Sequence, residues 1–170
     1  MTKEQKECIE KNIDLIESNQ WDKFFAGRYP YGIGGVLHAA GIDFMSDMKT
    51  VPFCAFDGYT SLTNFIIPDS VTSISARAFA DCKSLTNITI PNSVASIGDY
   101  AFDGCSSLTS ITIPNSVTSI AEGAFYDCSN LDEIIFNGTK TQFKQIKKHR
   151  RWIHHTVLVK CSDGDLVYTR

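Results

Sequence analysis

The side chains best equipped for chemistry in this 170-residue sequence are six cysteines and four histidines. Cys82, Cys105 and Cys128 stand 23 residues apart, while Cys8, Cys54 and Cys161 fall outside that step. Zinc needs thiolates and imidazoles gathered at short spacing, typically around a Cys-x-x-Cys pair. No such pair occurs, and the stretch holding the regular cysteines contains no histidine. A thiol that returns at a fixed interval is placed to pack as a compact apolar group. Tyr59 holds the same phase one step earlier, so the position does not require sulfur. His38, His149, His154 and His155 all lie outside the regular stretch. His154 and His155 could bind a metal weakly with Cys161, but strand alternation sends adjacent rings to opposite faces. Asp132-Glu133 is an adjacent carboxylate pair, and the other acids of the regular stretch sit among small side chains. Asp163-Gly164-Asp165 is too short for a calcium loop. Gly32-Ile33-Gly34-Gly35 lacks the Lys-Ser/Thr ending of a phosphate loop. With no nucleophile, base and orienting group brought together, the expectation is a chain with no enzyme activity, no cofactor, no metal and no small-molecule substrate.

The elements behind these residues are repeats. Leu62, Leu85, Leu108 and Leu131 share the 23-residue step with Ala55-Phe56, Ala78-Phe79, Ala101-Phe102 and Ala124-Phe125, and with Pro68, Pro91 and Pro114. A period in the twenties with apolar residues in constant phase marks a stacked solenoid, whose units bury their apolar sides only against neighbours. Within Cys82–Gly104, Ile88-Thr89-Ile90 alternates with strand spacing. Pro91 stops the strand because it cannot donate to a ladder, and Asn92-Ser93 supplies turn chemistry. Val94 and Ile97 suit a short extended or 3₁₀ segment on the opposite wall. Ala101-Phe102 turns a ring inward, and Asp103-Gly104 reverses the chain. Stacked units place like residues about 4.8 Å apart, with strands forced parallel.

The pattern L-x-x-I-x-I-P-x-x-V-x-x-I-x-x-x-A-F-x-x-C over residues 53–137 resembles the BspA-like, treponemal-type leucine-rich repeat. Commoner leucine-rich repeats carry an Asn or Cys ladder in the phase held here by Ser70, Ser93 and Ser116. The resemblance implies an α/β solenoid, a right-handed stack with a parallel β-sheet on one face. It also implies an interaction protein, several relatives being adhesin-like, and it carries over no binding residues.

Residues 1–52 are expected to form a helical cap with a degenerate first repeat. Thr2 and Gln5 are spaced as a capping box, and Ile9, Ile13 and Ile16 mark an amphipathic helix ending at Ser18 or Asn19. Trp21, Phe24 and Phe25 suggest a second short helical turn, residues 27–31 a loop around Pro30, and Ile33, Val36, Leu37 and Ala40 a helix stopped by Gly41. Met48, Val51, Ala55 and Phe56 fall in phase with Val71, Ile74, Ala78 and Phe79. Residues 138–170 are expected to form the other cap. Thr141 would start a helix with Phe143 and Ile146 inward and Lys140, Lys144, Lys147 and Lys148 outward. Trp152 would anchor it, and Ser162-Asp163-Gly164-Asp165 would turn a hairpin between Val157–Val159 and Leu166–Tyr168. The run from Gly138 to Gly164 is also similar to the tail of BspA-like proteins.

Charge is unevenly divided: residues 53–137 hold two basic and nine acidic side chains, residues 138–170 eight basic and two acidic. Lys144, Lys147, Lys148, Arg150 and Arg151 form a candidate basic patch. Without a recognised reading module, and beside an acidic solenoid that repels phosphate, it is read as a solvated or acidic-protein-facing surface rather than a nucleic-acid site. No run reaches the 18 apolar residues of a membrane span, so no membrane insertion is expected. The start lacks a basic region followed by an apolar core, so a cytoplasmic location is expected, or a surface or secreted adhesin-type domain if a leader has been removed. The remaining candidate surface is the outward side of the strands. It stacks Asn64, Asn87, Ser110 and Glu133 beside Ile66, Thr89, Thr112 and Ile135, some four strands or about 15–20 Å across. Recognition of a protein partner by a monomer is the expected function, with weak head-to-tail self-association between the oppositely charged ends as the structural alternative.

Overall fold

The computed structural model of the chain describes residues 1–18, 20, 24, 32–46 and 48–169. The expectations for Asn19, Trp21, Phe25 and the loop at 27–31 fall outside the described residues.

Each 23-residue unit makes three inter-coil ladders. The Val-x-x-Ile segment is extended, and its successive copies are β1 (Thr50–Val51), β3 (Ser73–Ile74), β5 (Ser96–Ile97) and β7 (Ser119–Ile120). They pair in parallel with a register of one repeat, Ile74 opposite Ile97 and Ile97 opposite Ile120. The Leu-x-x-Ile-x-Ile segment gives β2 (Asn64–Ile66), β4 (Asn87–Thr89), β6 (Ser110–Ile113) and β8 (Glu133–Phe136). β2 pairs with β4 and β6 with β8, again one repeat apart, and the ladder is interrupted between β4 and β6.

The third ladder is the Ala-Phe corner, which sequence periodicity did not reveal as a ladder. The N–H groups of Phe56, Phe79 and Phe102 donate to the carbonyls of Ala78, Ala101 and Ala124 at 2.8–2.9 Å. Two residues per corner are left-handed. One phase holds Cys54, Arg77, Tyr100 and Gly123, the other Gly58, Asp81, Gly104 and Asp127, with φ between +48° and +73°. This conformation costs a residue with a Cβ roughly 1–2 kcal/mol. It is repaid by the ladder, because the N–H of each of these residues reaches the next coil or, from Gly123 and Asp127, the carboxyl-terminal cap.

Between the ladders lies a narrow core of identical files. The rings of Phe56, Phe79, Phe102 and Phe125 stack at 5.0, 5.4 and 5.3 Å with interplanar angles of 3°, 2° and 7°. Leu85, Leu108 and Leu131 are wholly buried beside them. All six cysteines are free thiols.

The amino-terminal cap differs in part from expectation. The Thr2–Gln5 capping box forms, with reciprocal bonds of 2.8 and 3.1 Å. The predicted single helix is two, α1 (Lys3–Lys11) and α2 (Ile13–Glu17), because the Asn12 side chain bonds back to the Cys8 carbonyl at 2.8 Å. α1 buries no residue completely, whereas Ile16 of α2 is buried. α3 (Ile33–Ala39) lies on the first coil with Ile33 and Leu37 fully buried. Its glycines permit that approach: a Cβ on Gly34 would meet the Ala55 carbonyl at 2.8 Å, and one on Gly35 the Tyr59 ring at 2.7 Å. The N–H groups of Gly32 and Gly35 donate to the Cys54 and Ala55 carbonyls at 2.9 and 3.2 Å. The Cys54 carbonyl also accepts from the Asp57 N–H, whereas the Ala55 carbonyl holds the phase of Ala78, Ala101 and Ala124. Among the described residues Gly35 donates where an earlier corner would, and a buried orphan acceptor is expensive. The glycine-rich piece therefore plugs a ladder.

At the other end, α4 (Lys140–Gln145) is capped by Thr139 with Gln142, not by Thr141, which lies within the first turn. Lys147–Lys148, expected on the polar side of this helix, is strand β9, the fifth member of the β1-β3-β5-β7 sheet. The helix ends because Ile146 turns extended (φ −57°, ψ 128°). Lys147 and His149 then donate to Thr118 and Ile120 at 2.9 Å. Trp152 is fully buried and closes the phenylalanine file edge-on, 6.0 Å from Phe125. The hairpin β10 (Val157–Cys161) and β11 (Gly164–Tyr168) forms around Ser162-Asp163, and β10 adds parallel to β8.

Candidate protein-binding surface

The outward sheet positions follow from strand alternation. Phe65, Ile88, Ile111 and Ile134 point into the core, so their neighbours face solvent. Asn64 and Asn87 stand side by side, as do Ile66 and Thr89, Ser110 and Glu133, and Thr112 and Ile135. All are exposed or half-buried, Ile66 most of all at 76%. The hairpin lengthens both files. Leu158 and Val167 continue the Glu133 row, and Lys160 and Asp165 continue the Ile135 row. The face thus spans six strands, roughly 24 Å at the usual strand spacing, rather than the four legible in the repeats. Lys160 Nζ lies 2.5 Å from Glu133, pinning the hairpin to the last coil.

The five basic candidates are not equivalent. Lys144, Lys147 and Arg150 are exposed. Lys148 is half-buried, donates to the Phe143 and Ile146 carbonyls, and lies 4.5 Å above the Phe143 ring. Burial holds its pKa below the usual lysine value. It acts as a cap for the carbonyls at the end of α4. Arg151 reaches Glu122 at 2.6 Å, tying the cap to the last corner.

The cap histidines are spent on the backbone. Asp127 N–H, the last donor of the corner ladder, has no further coil and donates to His154 Nδ1 at 3.1 Å. His155 Nε2 is 2.7 Å from the Leu131 carbonyl. Among the described residues no group of three or more His, Cys, Asp or Glu is disposed to hold a metal ion.

Two ladders of side chains, of cysteine and of serine, were legible as fixed phases but not as bonds. Cys82, Cys105 and Cys128 each donate S–H to the carbonyl of the phenylalanine 26 residues earlier, at 3.1, 3.2 and 3.0 Å. Burial pushes the Cys82 and Cys128 thiols up to about 12 and the Cys105 thiol well above its ordinary value. Ser93 and Ser116 donate to the Val71 and Val94 carbonyls at 2.6 and 2.7 Å. Thr72, Thr86 and Thr118 do likewise to residues 23 earlier. At the corner, Arg77 is bound to Asp57 at 2.9 Å and lies 3.9 Å from both Asp81 and Asp103. Asp103 is held above the usual carboxylate range, first by burial and then by Asp127.

Residues 40–149 match the family model of the BspA type leucine rich repeat region, in six copies. The leucine-rich repeat protein TpLRR of T. pallidum is 39% identical and superposes with a TM-score of 0.51 over 53% of this chain and 42% of its own. A leucine-rich cell surface protein of Faecalibacterium prausnitzii is 32% identical, with a TM-score of 0.43 over 59% of this chain and 32% of its own. The chain therefore spans less than half the length of either protein. No curated protein matches it. Register, files and family model agree, and the chain belongs to the BspA-type leucine-rich repeat family.

Proposed function

We propose that this chain is a non-catalytic protein–protein interaction module whose recognition surface is the outward face of the β2–β4 and β6–β8–β10–β11 sheets. One observation carries the reading: six strands hold two files of side chains, half of them short and polar, on a backbone fixed by inter-strand bonds. A pre-organised surface loses little conformational entropy on binding, so modest contacts suffice for a specific complex. Short side chains leave edge and backbone groups open to hydrogen bonding, and Ile66, Ile135 and Val167 supply isolated apolar anchors.

The test compares the wild type with a combined Asn87→Arg, Thr89→Arg, Thr112→Arg variant in cross-linked capture from the native cell. These positions face solvent, so the variant keeps its fold, checked by circular dichroism. Loss of specific partners by the variant supports the sheet face. Retention of the same partners by both proteins moves recognition to another surface.

A further inference from the structure

Among the described residues, the wall that carries the outward files ends in two unpaired strands, β2 and β11, and their edges are complementary. At one end, β2 bonds only to β4. Asn87 N–H donates to the Thr63 carbonyl and Ile67 N–H to the Thr89 carbonyl. By alternation the N–H and C=O groups of Asn64 and Ile66 point the other way, off the sheet. At the opposite end, β11 bonds only to β10, with Cys161 opposite Gly164 across the two-residue turn. In this register Gly164, Leu166 and Tyr168 exchange bonds with β10, so the N–H and C=O groups of Asp165 and Val167 point off the sheet. Natural sheets guard such edges because they template pairing with another chain. The companion sheet does so, ending in Lys147 and Lys148 of β9. Here one edge presents Asn64 and Ile66 and the other Asp165 and Val167, and Ile66 and Val167 are exposed by 76% and 69%.

The geometry points to head-to-tail self-association in which β11 of one copy adds antiparallel to β2 of the next. Setting Val167 opposite Ile66 pairs the free N–H and C=O groups of Val167 with those of Ile66, brings the two apolar side chains together on the same face, sets Thr169 opposite Asn64, and ends the ladder where Asp165 meets Pro68, which has no N–H to donate. The ends also match in charge. The segment bearing β11 carries eight basic and two acidic side chains, and residues 1–69, which hold β2 and the cap beside it, six and ten. A groove of about 270 Å³ lined by Lys144, Lys148 and Val167 flanks the β11 edge. One of about 360 Å³ lined by His38, Asp43 and Ile66 flanks the β2 edge. The contact is heterologous, so it builds open chains rather than closed dimers. It prolongs the outward face across molecules without covering it, and stands or falls independently of the partner proposed above.

Two variants each block one edge with a charge at an already exposed position: Ile66→Lys and Val167→Lys. Sedimentation velocity of the wild type is expected to show chains growing with concentration and shortening with added salt. Each variant alone is expected to be monomeric, with an unchanged circular dichroism spectrum and thermal midpoint. An equimolar mixture is expected to give heterodimers that grow no further, because the Ile66→Lys copy still offers β11 and the Val167→Lys copy still offers β2. Wild-type protein that stays monomeric across the concentration series overturns the proposal. So does a mixture that stays monomeric, or either variant dimerising alone, which would indicate a β2–β2 or β11–β11 contact.

Discussion

Replacing Cys105 by alanine tests whether the thiol file is a ladder of bonded, protonated groups. Cys105 is fully buried and its S–H donates to the Phe79 carbonyl at 3.2 Å. Removing the sulfur forfeits about 1 kcal/mol of transfer free energy and a weak hydrogen bond worth about 0.5–1 kcal/mol. A destabilisation of roughly 1.5–2 kcal/mol at pH 7 follows. The pH dependence is the sharper readout. The ordinary thiol pKa is 9.0, and burial raises that of Cys105 well above it. Between those values the folded state binds one proton more than the unfolded state, so stability falls as pH rises and is fully present below about 9. For one thiol this amounts to about 1.4 kcal/mol between pH 8 and pH 10. The alanine variant lacks that loss, so the gap between the two proteins should shrink from nearly 2 to about 0.5 kcal/mol over this window. Urea unfolding followed by circular dichroism under a phosphine reductant measures it. Cys105→Ser should match the alanine variant in slope while retaining a donor to Phe79. Parallel wild-type and alanine profiles would refute the argument, because they require Cys105 to ionise as readily folded as unfolded.

Phe102→Ala, which opens the centre of the ring stack, should cost about 3–5 kcal/mol in urea unfolding, and Phe102→Leu distinctly less. An equal cost for both would deny the stack its role. Arg77→Leu leaves Asp57, Asp81 and Asp103 without their shared cation. Asp103, already raised, then rises further, so the variant should be least stable relative to wild type at pH 7 and recover as pH falls through 5 towards 4. Thermal midpoints that differ by a constant amount across that range would contradict the cluster. Gly35→Ala should lift α3 off the first coil, and Tyr59→Ala should partly rescue it in a double-mutant cycle by removing the ring that the new Cβ would meet. Additive effects would mean the two residues do not share the contact. His154→Ala, which strips the last corner N–H of its acceptor, should speed amide exchange at Asp127 while leaving the exchange of Tyr100 unchanged.

The solenoid was legible because every coil repeats its neighbour's physics. A residue such as Ile97 sees Ile74 below and Ile120 above, so phase in the sequence is position in space. The caps are unique contacts, and there local pattern misled. Thr141 and Thr139 are equally plausible N-caps by type, and only Gln142 three residues after Thr139 separates them. Lys147 and Lys148 carry no strand signal of their own, and the exposed edge of β7 imposes their conformation. The outward rows of the strands were legible as far as the repeats extend. Leu158, Lys160, Asp165 and Val167 were missed because β10 and β11 join it out of phase with the 23-residue step. The histidine contacts were beyond sequence reasoning, since they answer to a backbone group that is orphaned only when the coils stop.

The one-repeat register of both walls and of the corner makes molecular length a quantised variable. Excising or duplicating any 23 consecutive residues between Val71 and Leu131 joins like to like, so every file closes over the seam and both plugs still find their seats. A cut one residue longer or shorter would rotate isoleucines outward and leave two coils with mismatched corners. Gene-level gain and loss of single units is therefore the cheapest way for this architecture to lengthen or shorten its ruled face.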